Sequence, residues 1–117
     1  MKQQPVECLD KWERQVKKGI LDFVILLCLN RQELYGYEMI KSIKRIADLD
    51  ISEGTIYPLL NRLTKRELVH HKWIERDAGV PRKYYTITEK GRIAMKKMLL
   101  SWGQLNQSIN QLYRDPS

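Results

Sequence analysis

Cysteine is scarce in this sequence: Cys8 and Cys28 are the only two among 117 residues. Neither their number nor their spacing fits a disulfide framework or a zinc site, so a reducing, cytoplasmic setting is the expectation. Cys28 falls inside the apolar run Ile20 to Leu29 and reads as a small core residue. Long apolar runs are missing as well. Residues 17 to 29, KKGILDFVILLCL, imitate a signal peptide, but Asp22 interrupts the run and no small-residue cleavage pattern follows. A bilayer span needs ~20 apolar residues, so neither secretion nor membrane insertion is expected. The chain also lacks internal repeats, low-complexity tracts and linkers, apart from short frayed ends at residues 1 to 8 and 113 to 117.

Catalytic groupings are equally thin. No glycine-rich phosphate loop follows a strand, no nucleophile–His–Asp set stands out, and the carboxylates are scattered among cations. His70 and His71 are neighbours on a predicted strand, so they point to opposite faces and do not chelate one metal. No catalytic residue, metal site or cofactor is expected.

What the chain does have is positive charge: 21 Lys and Arg against 14 Asp and Glu, a formal +7. A polyanion is therefore a natural partner, although net charge alone fits a merely soluble surface equally well. With 43% hydrophobic residues, the chain is long enough for one core and too short for two. Leu9, Trp12, Val16, Ile20, Phe23, Val24 and Leu27 fall at helical spacing, which predicts one long helix or two abutting ones. A helix follows Gly36, with Tyr37, Ile40, Ile43 and Ala47 on one side, and stops at Asp48-Leu49-Asp50.

Ser52 is placed to cap a third helix through its hydroxyl, with Glu53 in the first turn, and that helix runs to about Arg66. Ile56, Leu59, Leu60 and Leu63 share one side of it, and Pro58 is expected to loosen or bend its first turn. After Leu68 the period becomes alternating: a strand from Val69, turn residues over Arg76 to Pro81, and a second strand from Arg82 to Thr88. Thr88 then caps the last helix. Along that helix Met95, Met98, Trp102, Leu105, Ile109 and Leu112 are separated by steps of three and four, a heptad seam. Such a seam packs either on the chain's own core or on a second chain; because it follows a completed helix–helix–helix–hairpin unit, a second chain is expected.

The expected fold class is therefore mainly α with a small β-hairpin. Residues 1–88 form a winged helix–turn–helix with an N-terminal helix, residues 89–117 a C-terminal dimerisation helix, and the two make one compact unit. In this arrangement the third helix enters the major groove of double-stranded DNA and the hairpin tip reaches the flanking backbone. Ser52, Glu53 and Gly54 set the start of the reading helix. Thr55, Tyr57, Pro58, Asn61 and Arg62 are the candidate reading residues, and Arg82, Lys83 and Tyr84 are expected to grip backbone, with Arg76 beside them. A homodimer joined by Met98, Trp102, Leu105, Ile109 and Leu112, with help from Leu9, Trp12 and Val16, would face one palindromic operator. A winged-helix protein–protein module shares this fold and seam, but gives no special reason for a cationic hairpin tip.

The phrases LYGYEMIKSI (34 to 43), ISEGTIYPLLNRL (51 to 63) and PRKYYTITEKGR (81 to 92), in this order and spacing, resemble the PadR family of bacterial transcriptional regulators. The resemblance spans roughly Gln15 to Leu112. It implies a winged-helix DNA-binding domain, a dimer built largely by the last helix, and usually repression relieved by a small molecule. The single short C-terminal helix is similar to the compact branch of the family, in which a tryptophan of an SW motif stacks on flat aromatic ligands; Ser101-Trp102 matches that motif. Gly103 leaves missing side-chain volume beside Trp102, and Met95 and Met98 are adaptable neighbours for a planar aromatic effector, although Trp102 could instead simply fill a dimer core. In one place the chain departs from the family: Glu67 stands where glycine is common before the first strand, so a left-handed turn there would be costlier.

Overall fold

A computed structural model describes residues 5–76 and 79–115, with backbone alone for 5–7. The first apolar-periodic stretch resolves into two helices, α1 (Pro5–Gly19) and α2 (Leu21–Arg31), separated at Ile20. Helix therefore begins at Pro5, so the expected fraying of residues 5 to 8 is not observed. α2 is the central element: Leu21, Ile25, Leu26 and Leu29 are buried, and Cys28 packs against the same core. Burial pushes the Cys28 thiol pKa up, consistent with packing rather than reactivity.

Next comes a strand that the sequence did not announce, β1 (Leu34–Tyr35), which pairs antiparallel with the later hairpin through Leu34↔Tyr85 and Tyr35↔Tyr84. Two residues are too few to show an alternating period. Helix α3 (Gly36–Ala47) follows directly and stops at Asp48, whose φ of 55° is left-handed and whose N–H donates to the Lys44 carbonyl at 3.0 Å. Helix α4 (Glu53–Lys65) buries Ile56, Leu60 and Leu63. Ser52 is its N-cap residue by backbone conformation, but the expected side-chain cap is not made. The Ser52 hydroxyl instead bonds the Thr55 hydroxyl at 3.1 Å, and it is the Ser52 carbonyl that accepts the Ile56 N–H at 2.9 Å. α4 also runs unbroken through Pro58, which leaves the Gly54 carbonyl without its usual intrahelical donor.

The turn out of α4 is a Schellman arrangement: the Leu68 N–H donates to the Leu63 carbonyl and the Glu67 N–H to the Thr64 carbonyl, both at 3.0 Å. Glu67 takes the left-handed conformation at φ 64°. The hairpin consists of β2 (Val69–Arg76) and β3 (Val80–Ile87), and the sheet order is β1-β3-β2. Val80 already pairs with Arg76 and Pro81 with Glu75, so the turn is tighter than the Arg76 to Pro81 span expected; Asp77 lies outside the described residues. Pro81 sits beyond the reach of β1, where β3 has a free edge and a missing N–H is tolerated. Thr88 caps α5 (Glu89–Arg114) as expected, accepting the Gly91 N–H at 2.9 Å, and it also donates to the Glu67 carbonyl at 2.7 Å. A Cβ on Gly91 would collide with the Leu68 carbonyl, so the two helix ends meet as closely as backbone allows. Among the described residues no helix is long and apolar enough to cross a membrane.

Candidate nucleic-acid interface

The apolar side of α4 is committed to the core, and that burial turns Ser52, Gly54, Thr55, Tyr57, Pro58 and Asn61 outward as exposed residues. Tyr57 is fixed from behind: its hydroxyl occupies the space that a Cβ on Gly36 would fill, so glycine at the start of α3 lets the ring lie against it. Between α4 and the hairpin lies a cleft of about 530 Å³ whose walls include Tyr57 and Asn61 from one side and Arg82 and Lys83 from the other. Four of the sequence-predicted residues thus face one space. Lys83 lies 5.5 Å from the centre of the Trp73 ring and Arg82 4.6 Å from that of Tyr35, so both cations are steadied by aromatic faces.

Three of the predicted cationic or aromatic contacts are placed differently. Arg62 does not reach out alone: one of its terminal nitrogens donates to both carboxylate oxygens of Asp22, at 2.8 and 2.9 Å, tying α4 to α2 across 40 residues of sequence. Arg76 bonds Glu33 at 3.0 Å, and that partner holds its guanidinium pKa above the ordinary value. Tyr84, expected to grip backbone, is only 4% exposed; Arg76 lies 4.3 Å over its ring and Tyr35 packs edge-on at 5.3 Å. These corrections share one cause. Asp22, Glu33 and Tyr35 each come from an element distant in sequence, so periodicity could not reveal them.

The structure adds residues to this surface. A second cleft, about 820 Å³, runs between α3 and the start of α4, with Tyr37, Lys41 and Arg45 on one side and Ser52 and Thr55 on the other. Lys41 sits 5.4 Å over the exposed Tyr37 ring. Lys44 lines the same cleft but is engaged by Asp48 at 2.9 Å and Asp50 at 3.4 Å, and these hydrogen bonds raise its ammonium pKa. The position of Lys41 beside α4 depends on how the two helices cross.

The strand pairing sends the two histidines to opposite faces as expected, His70 opposite Thr86 and His71 opposite Tyr85. Among the described residues no group of three His, Cys, Asp or Glu side chains is placed to hold a metal ion.

The heptad seam of α5 is divided. Met95 is 5% exposed and belongs to the chain's own core, with Met98 packed against it. Trp102 (42%), Leu105 (53%), Ile109 (55%) and Leu112 (72%) stand in the open, and from Leu99 to Asp115 every residue is exposed. The expected grouping of Trp102 with Met95 and Met98 is therefore incomplete within one chain, because Met95 is spent on intramolecular packing. Nothing lies within 4 Å of where a Gly103 Cβ would stand, so space beside Trp102 is free. On α1, Leu9 and Trp12 are also more than half exposed, and Val16 is half-buried.

Comparison with known proteins agrees with this architecture. A PadR-like transcriptional regulator from Bacillus cereus is 36% identical, with a TM-score of 0.77 over 85% of this chain and 96% of that one. A PadR family transcriptional regulator from Eggerthella lenta superposes with a TM-score of 0.79 at 27% identity, over 92% of this chain and 89% of its own. An uncharacterized protein from Lysinibacillus sphaericus is 30% identical over 95 residues, 80% of this chain and 87% of that protein. Residues 25–97, from the middle of α2 to the middle of α5, match the transcriptional regulator PadR-like family, and the chain accordingly belongs to that family of winged-helix, DNA-binding transcriptional regulators and is not an enzyme.

Proposed function

We propose that the protein is a homodimeric repressor that occupies a palindromic operator and leaves it when a planar aromatic molecule binds at Trp102. Two α4 helices, related by the dimer axis, present Thr55, Tyr57, Pro58 and Asn61 to base edges, with Ser52 and Gly54 near the backbone at the helix start. Arg82 and Lys83 of each hairpin neutralise the flanking phosphates. Residues 1–88 carry the DNA contacts and residues 89–117 the dimer contacts. They remain one unit because Met95 and Gly91 of α5 are buried in the winged-helix core.

The observation that carries this reading is the bare second half of α5. Trp102, Leu105, Ile109 and Leu112 repeat at steps of three and four, and all four are exposed. Exposed apolar stripes of that regularity mark a surface that another helix covers. The exposed Leu9 and Trp12 of α1 supply a second apolar stripe, fit to close over the partner's seam. At the two-fold axis the seams bring two Trp102 indoles near each other, with the volume beside Gly103 left for a flat ring.

The test is Leu105→Asp, which puts a charge into the seam without touching the DNA surface. Sedimentation is expected to show a monomer for this variant and a dimer for the parent. Affinity for duplex fragments selected from the source genome is expected to fall by at least an order of magnitude, because two half-sites no longer bind together. A variant that sediments as the parent does would show that the seam is not the interface.

A further inference from the structure

The outer face of the hairpin carries a row of four side chains in contact. Arg76 lies over Tyr84 at 4.3 Å, Tyr84 meets Tyr35 edge to face at 5.3 Å, and Arg82 lies over Tyr35 at 4.6 Å. The register explains the row. Residues directly opposite in antiparallel strands share a face, and the pairs Tyr35↔Tyr84, Ile74↔Arg82 and Arg76↔Val80 put all four on the same one.

The two ends of the row differ in charge. Arg76 is bound by Glu33 at 3.0 Å, whereas Arg82 makes no ion pair among the described residues. They differ in place too: Arg82 and Tyr35 both border the cleft that Asn61 and Tyr57 of α4 line, and Arg76 does not. A guanidinium laid on a ring uses only its flat face, and its five N–H donors stay available in its plane. Tyr35 therefore restrains Arg82 without consuming its hydrogen bonds or its charge.

We propose that Tyr35 is a positioning residue for DNA binding, which holds Arg82 at the rim of that cleft with its donors free for a backbone phosphate, and that Glu33 withholds Arg76 from the duplex. This rests on the reading of Arg82 as a phosphate contact and adds what orients it. Among the described residues, Glu33 engages one of the two hairpin arginines and Tyr35 stacks on the other, so an acid and a ring on the short segment leading into α3 set them apart.

Titration of binding to a random-sequence duplex against salt tests both halves. Arg82→Ala is expected to lower the slope of log affinity against log salt by about one. Arg82→Lys keeps the charge but has no planar face to stack, so it is expected to keep the slope and lose about three- to tenfold in affinity. Tyr35→Leu is expected to produce the same pattern as Arg82→Lys and to cost little further in the Arg82→Lys background, whereas Tyr35→Phe, which keeps the ring, binds like the parent. Glu33→Gln frees Arg76 and is expected to raise the slope by about one.

If Arg82→Lys binds as tightly as the parent, or if the losses from Tyr35→Leu and Arg82→Lys multiply, Tyr35 does not position Arg82. Because Tyr35 also precedes α3, with its N–H bonded to the Glu38 carboxylate at 3.2 Å, Tyr35→Leu is checked by thermal melting. Arg82→Lys decides the question if that variant is unstable. Normal binding by Arg82→Ala together with weakened binding by Lys83→Ala overturns this proposal while leaving DNA binding by the hairpin intact; normal binding by both overturns the phosphate assignment itself.

Discussion

Glu67 offers a quantitative test of how α4 is joined to the rest of the protein. Its φ of 64° puts a side chain with a Cβ in the left-handed region, which costs roughly 1–2 kcal/mol for most residues. Glycine removes that cost but gives the unfolded chain more freedom, worth about 0.4–1 kcal/mol in the opposite direction. Glu67 also has a compensating contact, Lys90 at 3.7 Å, but both side chains are largely exposed and such pairs contribute little. The cleanest comparison is therefore Glu67→Gly against Glu67→Ala, because both lose the ion pair and only the alanine keeps the strain.

The glycine variant is expected to be the more stable by about 1 kcal/mol, a difference in Tm of roughly 3–6 °C for a chain of this size. Melting must be followed at one protomer concentration, since dissociation of a dimer would shift Tm by mass action. The carbonyl of Glu67 accepts from Thr88 and the Leu68 carbonyl from the Thr88 N–H, so a true left-handed turn here is held from both sides. Equal melting temperatures for the two variants, or a more stable alanine, would mean that residue 67 is not left-handed and that this account of the α4–β2 turn is mistaken.

Three further outcomes are expected. Lys83→Ala should weaken binding to every duplex and flatten the salt slope by about one, while Asn61→Ala, altering an amide proposed to face bases, should change preference among sequences with little change in slope, both read by fluorescence anisotropy. In a variant whose Trp12 and Trp73 are replaced by Phe, planar aromatic dyes and phenolic acids should quench the emission of Trp102, and quenching should vanish with Trp102→Ala; binding that survives that substitution removes Trp102 from the site. His71 has a buried Nδ1 without a hydrogen bond among the described residues, and burial, with Lys83 and His70 adding repulsion, lowers its pKa below the ordinary 6.5. Between the folded and unfolded values the unfolded chain then binds more protons, so this contribution is complete above about pH 6.5 and is lost as pH falls. Thermal melts from about pH 5 to 8 should show a shallower acid decline in His71→Phe than in the parent.

Much of this molecule is written in local pattern. Helical spacing located α1 to α5, alternation located the hairpin, and Thr88 was legible as a cap because a hydroxyl before an acidic first turn works within four residues. The outward residues of α4 followed as well, since burying Ile56, Leu60 and Leu63 leaves Thr55, Tyr57 and Asn61 no other direction. What pairs with what was not legible. The Arg62–Asp22 and Arg76–Glu33 bonds, the burial of Tyr84 and the Tyr35–Arg82 stack each join residues about 40 or more apart, and no periodicity encodes which distant charge or ring a side chain will meet. The same limit governed the seam of α5. Its heptad is continuous in sequence from Met95 to Leu112, yet only the fold decides where the helix leaves the core, after Met98, so that the first two residues of a uniform stripe are packed at home and the other four are exposed.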